Sequence, residues 1–246
     1  MIYEEVFAGN IIRYRFRYPG TERFLLPYIT ENPGDTYDIL ASEEHIESQR
    51  PYYPEDQEDA YVEYKSLIEL TSRALLPHAC CLFHAVAFLW NGYAWLITGP
   101  SGAGKTTQYK RWKITYRNAV EMICGDMPLL EWKEDDTIWV HPSPWNGKER
   151  IKGKVSAPLG GIVLLEQDEE NSIRIMSAED CGVPIFLQMA VRPETEEQIL
   201  MTADLVNRLL SRYPVWRLEN RGDAEAAMLT AQTFLKHIQK DRNNEI

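Results

Sequence analysis

The sequence predicts an α/β fold in two parts: a small β-rich module over residues 1–76 and a larger domain over residues 77–246. Three stretches support this prediction. Residues 12–18 (IRYRFRY) alternate between apolar or aromatic side chains and arginines, which indicates a strand with one buried face. Residues 60–76 carry apolar side chains at helical spacing. Residues 96–108 (LITGPSGAGKTTQ) pass from an apolar run through a glycine-rich turn into a helix.

Composition restricts the class of protein. The 246 residues include 26 Lys plus Arg and 37 Asp plus Glu, a formal net charge of -11, so the chain lacks the basic character of nucleic-acid-binding proteins. Its four cysteines show no CxxC spacing, which predicts reduced and mostly buried thiols. No secretory signal is visible, and the apolar runs are too short to cross a bilayer. We therefore expect a soluble cytoplasmic protein without nucleic-acid or membrane partners.

The elements of the N-terminal module follow from local patterns. Arg13, Arg15 and Arg17 share one face of the strand at residues 12–18, and we interpret this face as solvated. Residues 31–58 are rich in acids and prolines, which predicts turns and loops. The amphipathic helix at residues 60–76 then links the module to the larger domain.

The larger domain begins with two apolar runs, at residues 79–90 and 93–98, on either side of Asn91-Gly92. This dipeptide is a tight-turn signal, so the runs predict a hairpin whose second arm enters the glycine-rich turn. A helix should begin in that turn and continue through Trp112. Further strands are predicted at residues 120–124, 138–141, 161–166 and 215–218, and further helices at residues 178–190, 195–213 and 224–240.

The glycine-rich turn carries the most specific motif. Residues 99–106 (GPSGAGKT) match G-x-x-x-x-G-K-[ST] at every defining position. Gly102 and Gly104 permit conformations that aim backbone N–H groups at phosphate oxygens. Lys105 would neutralise the terminal phosphates, and Thr106 would offer its hydroxyl to Mg²⁺ at the positive end of the helix. The predicted nucleotide-binding residues are Gly99, Ser101, Gly102, Ala103, Gly104, Lys105, Thr106 and Thr107.

Two further residues are candidates for the chemistry. Asp126 ends the stretch VEMICGD, 20 residues after Thr106, where P-loop enzymes place a metal-binding carboxylate. Its alternative role is that of a turn aspartate. His84 lies within CLFHAVAF and is either a core residue with a satisfied hydrogen bond or a group that contacts phosphate or the reacting hydroxyl. The sequence leaves the role of His84 open.

A basic loop stands out on this acidic chain. Residues 141–154 (HPSPWNGKERIKGK) bring Lys148, Arg150, Lys152 and Lys154 together between prolines and glycines, with Trp145 close by. A flexible loop of this kind can hold a phosphate or an acceptor. The alternative is an exposed charged loop without a ligand.

Together these segments resemble the HPr kinase/phosphorylase family, P-loop proteins related in fold to ATP-dependent phosphoenolpyruvate carboxykinase. The resemblance covers residues 82–166 and rests on FHAVAF, GPSGAGKTT, CGDMPLL, SPWNGKE and APLGGIVLLEQ. Within that family, the sequence is particularly similar to the HPr-kinase-related proteins found beside bacterial peptide-modification genes. The resemblance implies a kinase core of this type, in which the P-loop strand is an arm of an antiparallel hairpin. Where the parent kinases have two adjacent aspartates, this sequence has Gly125-Asp126.

The resemblance also implies an activity: ATP- and Mg²⁺-dependent transfer of a phosphoryl group to a serine of a peptide or protein. Asp126, with His84, would accept the serine proton, and Thr106 with Asp126 would bind Mg²⁺. Lys105, Lys148 and Arg150 would stabilise the transferred group. Two alternatives stay open, a nucleotide-binding regulatory protein without catalysis and a kinase of small hydroxyl compounds. A homo-oligomer is an open expectation.

Overall fold

The computed structural model describes residues 2–25, 36–147 and 153–244. The N-terminal module contains β1 (Ile2–Phe7), β2 (Asn10–Arg15), β3 (Thr36–Leu40), α1 (Glu43–Gln49) and α2 (Asp59–Leu75). The rest of the described chain contains β4 (Cys80–Leu82), β5 (Ala85–Trp90), β6 (Tyr93–Thr98), α3 (Lys105–Tyr116), β7 (Glu121–Cys124), β8 (Leu129–Trp132), β9 (Ile138–His141), β10 (Ala157–Gln167), β11 (Ser172–Ile175), α4 (Ala178–Phe186), α5 (Glu196–Arg212), β12 (Val215–Asn220) and α6 (Ala224–Asn244). The α/β class and the small N-terminal β module are confirmed.

The N-terminal module is a three-stranded sheet covered by α2. Strand β2 pairs antiparallel with β1 and parallel with β3. The predicted alternation holds, because Ile12 and Tyr14 are fully buried while Arg15 is exposed and pairs with Asp38. The hydroxyls of Tyr14 and Thr71 lie 2.8 Å apart and join β2 to α2.

The module shares its hydrophobic core with the domain that follows. One cluster of buried side chains extends from Ile12 and Leu67 to Leu82, Leu129 and Trp145. Side chains on both sides of residue 76 therefore stabilise each other by excluding water from the same core. The division of the chain at residue 76 stays a prediction.

The large sheet has the order β4-β8-β9-β10-β6-β5-β7, and β12 joins it beside β10, with β11 next to β12. Strand β10 connects its two halves. The first residues of β10 pair antiparallel with β9, and the later residues run parallel to both β6 and β12. At the switch, a Cβ on Gly160 would lie 2.8 Å from the Trp95 ring, and a Cβ on Gly161 would lie 2.6 Å from the Trp216 ring. Only glycine fits there, because no other residue allows so close an approach.

Helices cover both faces of the sheet. On the face covered by α3 and α6, the rings of Trp95 and Phe234 stack with centroids 3.7 Å apart, and Trp112 is fully buried beside them. On the other face, α4 and α5 contribute buried residues such as Ile185 and Leu209. The four cysteines are free and buried, as predicted. Within the described ranges, no helix combines the length and apolarity needed to cross a bilayer.

One predicted strand was wrong. The run at residues 79–90 is not continuous, because the backbone N–H of Phe83 donates to Pro128 O and that of His84 donates to Gln188 O. The chain therefore changes partners there: β4 pairs with β8, and β5 forms the predicted hairpin with β6. Helix α4 ends at Phe186, earlier than predicted. Residues 187–190 instead lie beside the break between β4 and β5 and form hydrogen bonds with it. Strands β1, β3, β8 and β11 and helix α1 were not predicted. The prediction of turns and loops over residues 31–58 was wrong for β3, which pairs with β2, and for α1, which Ser42 caps. The other predicted elements are present with shifted ends.

Candidate active site

A cleft of about 790 Å³ lies between the P-loop and the N-terminal module. One wall is formed by the P-loop and the start of α3. The opposite wall comes from four other parts of the chain: the segment from Tyr52 to Lys65, His84 with Val86, the segment from Gly125 to Met127, and the dipeptide Asn146-Gly147. The cleft is thus shared between the module and the large sheet, a position that favours ligand binding.

The P-loop follows directly from β6, a strand held between β5 and β10. Gly102 and Gly104 have φ values of +85° and +100°, which other residues adopt only at a cost. Gln167, at the end of β10, donates from Nε2 to Gly102 O at 3.1 Å and fixes the loop from behind. Of the predicted nucleotide-binding residues, six line the cleft: Ser101, Gly102, Gly104, Lys105, Thr106 and Thr107.

The two remaining predicted P-loop residues do not line the cleft. Ala103 is buried and belongs to the hydrophobic cluster under α3. Gly99 packs against β10, where a Cβ would lie 2.8 Å from Leu165 O. Both residues therefore shape the loop rather than face its ligand.

Lys105 bends back over the P-loop. Its Nζ donates to Gly99 O at 2.8 Å and to Pro100 O at 3.2 Å. Burial lowers the pKa of Lys105, and the charge of Asp126 opposes this shift. The ammonium group thus sits at the mouth of the loop, within the electrostatic reach of Asp126.

Asp126 follows β7 and projects into the cleft between two potential proton or charge partners. Its Oδ2 lies 3.2 Å from Lys65 Nζ, and its Oδ1 lies 3.7 Å from His84 Nε2. Its backbone carbonyl accepts a hydrogen bond from Ala85 N and ties the end of β7 to β5. The resemblance implied that Asp126 and His84 act together, and the structure places the two side chains next to each other.

His84 is oriented by a residue 104 positions further along the chain. Its Nδ1 lies 3.1 Å from Gln188 Oε1, which favours the N–H on Nδ1, and its Nε2 lies 3.7 Å from Asp126 Oδ1. Burial and the charge of Lys105 lower the pKa of His84, while Asp126 acts in the opposite direction. A neutral His84 with a free Nε2 can accept a proton inside the cleft.

The loop at residues 143–147 packs directly on the strand end that carries Asp126. The backbone N–H of Met127 donates to Trp145 O at 3.0 Å. A Cβ on Gly125 would lie 2.5 Å from Asn146 O, and a Cβ on Gly147 would lie 3.2 Å from the Asp126 Cβ. The single-aspartate arrangement Gly125-Asp126 thus matches a backbone contact that leaves no room for a second side chain.

Trp145 has a structural role that the sequence did not reveal. Its ring is fully buried, stacks 5.9 Å from Tyr64 and 6.2 Å from Phe7, and donates from Nε1 to Tyr64 O at 3.0 Å. The interpretation of Trp145 as an aromatic group for an acceptor is therefore wrong. Among the basic residues of this loop, Lys148, Arg150 and Lys152 lie outside the described residues, and Lys154 lines a different pocket beside α3.

Sequence patterns did not identify several residues that lie in the cleft or contact its lining. Lys65 lies on an amphipathic helix, where a lysine is ordinarily solvated, and Gln188 lies in a segment predicted as helix. Tyr53 and Tyr61 come from or border an acid-rich stretch predicted as loop. Burial, with smaller effects of Tyr61 and Asp126, raises the pKa of Tyr53 to about 12, so its hydroxyl stays protonated at neutral pH. No local pattern marked these residues, because their roles come from tertiary contacts.

The charges of the cleft suit an anion with a metal ion. Among the residues that the structure describes, the charged side chains that line the cleft are Lys65, Lys105 and Asp126, so this part of the lining is positive on a chain of net charge -11. The described residues contain no group of three or more His, Cys, Asp or Glu side chains able to hold a metal. Mg²⁺ commonly needs only one or two carboxylates, completed by substrate phosphates and water. Asp126 and Thr106 fit that requirement.

No protein-family model matches the chain, and no curated protein sequence does so. Among solved structures, the HPr(Ser) kinase/phosphatase from Coxiella burnetii is similar over 63% of this chain and 97% of that chain, with 11% identity and a TM-score of 0.36.

Proposed function

We propose that the protein is an ATP-dependent kinase that transfers the γ-phosphoryl group to a serine hydroxyl of a peptide or protein. The observation that supports this proposal most strongly is the shared cleft, in which Lys105, Asp126 and His84 face one volume. Its size of about 790 Å³ lies within the range of small-molecule sites and is ample for a nucleotide.

The P-loop wall would bind the phosphates. The 12-residue helix α3 begins at Lys105 and directs its positive end and free N–H groups toward an anion in the loop. Lys105 would exchange its bonds to Gly99 O and Pro100 O for the terminal phosphate oxygens. Thr106 and Asp126 would hold Mg²⁺, which when bound neutralises charge on the β- and γ-phosphate oxygens.

The opposite wall would handle the proton. The serine oxygen attacks the γ-phosphorus, the bond from that phosphorus to the bridging oxygen breaks, and ADP leaves with the bond electrons. The serine proton passes to Asp126 or to the Nε2 of His84, which Gln188 holds in the required orientation. Because the transition state of such transfers is loose, positioning and electrostatics contribute more than strong base chemistry.

A kinase of small hydroxyl compounds is the second candidate. Trp145 is buried, so it cannot line a peptide groove, and Tyr53 and Tyr61 wall the cleft on the side of the N-terminal module. An acceptor enclosed by these tyrosines would need to be small. A regulatory nucleotide-binding role is a third candidate, and the Lys65–Asp126 ion pair supports it because that pair occupies the potential base.

The test is transfer of label from γ-labelled ATP with Mg²⁺ to a panel of serine-containing peptides and free serine. Label on a peptide that disappears in Lys105→Ala supports the proposal. Lys133→Ala is the matched control, because Lys133 pairs with Glu131 on the β8–β9 hairpin and does not line the cleft. Label on free serine alone supports the second candidate, and nucleotide binding without transfer to any acceptor contradicts the kinase proposal.

A further inference from the structure

Lys65 is the least expected charged residue of the cleft. It lies in the middle of α2, its side chain is 16% exposed, and its Nζ contacts Asp126 Oδ2 at 3.2 Å. Lysines are rarely buried to this degree without a specific partner. Its position inside the phosphate-facing cleft, away from the solvated faces of the module, indicates a function there.

The backbone around Lys65 is held in place by its neighbours in sequence. Glu63 is fully buried and accepts from the N–H groups of Arg17 and Tyr18. Tyr64 donates its hydroxyl to Pro144 O at 2.9 Å and accepts from the Trp145 indole at its own carbonyl. Pro144 and Trp145 belong to the loop at residues 143–147, which also contacts the strand end that carries Asp126. The Cα positions of Lys65 and Asp126 are therefore linked through buried contacts. The long side chain of Lys65 is the part that can move.

Metal binding would change what Lys65 contacts. A divalent cation at Asp126 repels an ammonium group a few ångströms away, and that repulsion is strong in a partly buried site. The terminal phosphates of a nucleotide held by Lys105 would be the anions within reach in the same cleft. A flexible four-carbon stem allows the ammonium to shift from a carboxylate to a phosphate oxygen.

We propose that Lys65, supplied by the N-terminal module, is a second phosphate-binding lysine of the cleft, which moves from Asp126 to the γ-phosphoryl group when Mg²⁺ and a nucleoside triphosphate bind. This inference rests on the nucleotide-binding part of the proposed function. The module then completes the site: the P-loop and Lys105 hold the nucleotide, and Lys65 recognises the third phosphate.

The test compares binding of two nucleotides by calorimetry with Mg²⁺ present: ADP and the non-hydrolysable β,γ-imido analogue of ATP. In Lys65→Ala, we expect affinity for the imido analogue to fall by about tenfold or more, the loss typical of a charge-assisted hydrogen bond. Affinity for ADP should be unchanged, because ADP lacks the phosphate that Lys65 contacts. Lys65→Arg should keep most of the preference for the triphosphate, and Lys133→Ala should behave like the wild type.

A double-mutant cycle with Asp126→Asn separates a phosphate contact from a mere partner of Asp126. If Lys65 contacts the γ-phosphate, Lys65→Ala still lowers affinity for the imido analogue in the Asp126→Asn background. The inference is overturned if Lys65→Ala changes the affinity for both nucleotides equally or makes both bind more tightly. It is also overturned if Lys65→Ala has no effect on affinity in the Asp126→Asn background. Thermal unfolding monitors folding, and Lys65→Gln, which keeps part of the stem and a polar end, serves if the alanine variant unfolds.

The outcomes for this inference and for the kinase proposal are distinguishable. A wild-type protein that binds neither nucleotide overturns both. A wild type that loses its preference for the triphosphate in Lys65→Ala, yet labels no acceptor, supports the role of Lys65 and overturns only the transfer step. Transfer that proceeds normally in Lys65→Ala, with unchanged affinities, overturns only the inference on Lys65.

Discussion

The two walls of the cleft are built in different ways. The P-loop wall is one continuous segment whose conformation follows from glycines and a helix start, so its geometry is set by local backbone chemistry. The opposite wall unites Lys65, His84, Asp126 and Asn146 from separate segments. Lys65, Asp126 and Asn146 are placed by the packing of α2 and the loop at residues 143–147, and His84 is placed by its hydrogen bonds to Gln188. Substitutions in the first wall should act directly on a ligand, and many in the second should act through position.

The largest expected effect tests the chemistry of the opposite wall. Asp126→Asn should lower turnover by about 10³-fold or more, because it removes the carboxylate that binds metal and accepts the proton, while much of the nucleotide affinity remains. Steady-state kinetics and nucleotide titration measure the two effects. Asp136→Asn is the control, since Asp136 lies on an exposed turn and pairs with Arg208. Turnover retained in Asp126→Asn would refute its assignment.

The P-loop wall is tested by Lys105→Ala. We expect about a 10²- to 10³-fold loss in kcat/KM, the magnitude typical of a lost electrostatic stabiliser, together with weaker nucleotide binding. Kinetics and calorimetry on the same preparation measure both. A variant that loses binding of ADP and of the triphosphate equally would instead show that Lys105 does not discriminate between their phosphates.

The packing that positions the opposite wall is tested by Trp145→Ala. Truncation of this fully buried ring should lower the free energy of unfolding by about 3–5 kcal/mol, because a large cavity opens between Tyr64 and Phe7. Denaturant unfolding measures the change. Trp139→Ala, on the half-exposed face of β9, should cost clearly less. Equal losses at the two positions would contradict the structural role of Trp145.

A smaller effect is expected at the close backbone contact. Gly125→Ala and Gly125→Asp should both destabilise the protein by about 1–3 kcal/mol, because a Cβ would meet Asn146 O at 2.5 Å. The added carboxylate should therefore not raise turnover. Unfolding and kinetics check both statements, and an Asp variant as stable as the wild type with higher turnover would show that the loop at residues 143–147 yields easily.

The smallest effect is on the pH dependence of stability. Burial holds the pKa of His84 below its value of about 6.5 in the unfolded chain. Above that pH, neither state is protonated and His84 contributes nothing. As the pH falls below about 6.5, the unfolded chain binds the proton first, so the free energy of unfolding decreases until the pH passes the folded-state pKa. Denaturant midpoints from pH 8 to 5 measure this.

The control for that measurement must account for a second histidine. Burial also lowers the pKa of His141, against the opposing effect of Glu131, so His141 contributes with the same sign. His84→Gln should reduce the pH dependence without removing it. An unchanged pH profile in that variant would mean that His84 is as readily protonated in the folded protein as in the unfolded one.

The sequence predicted what is local. The P-loop and the β5–β6 hairpin were predicted because their turn residues and spacing specify them within about a dozen residues. The break at His84 was not, since it depends on hydrogen bonds to Pro128 and Gln188. The amphipathic pattern of α2 identified its buried face but not the aspartate that Lys65 meets. Trp145 was misassigned because a loop rich in proline and glycine is ordinarily exposed, whereas the ring of Trp145 is buried in the core.

The double pairing of β10 has a consequence for how the chain folds. Strand β6, which carries the P-loop, gains its hairpin partner early but meets β10 only after some sixty further residues, and β10 is flanked on its other side by β12 later still. Pairings of such long sequence separation form slowly and leave open strand edges meanwhile. During synthesis, the edge of β10 would stay unpaired until residues 215–220 emerge. Truncation before β12 should therefore yield an aggregation-prone chain.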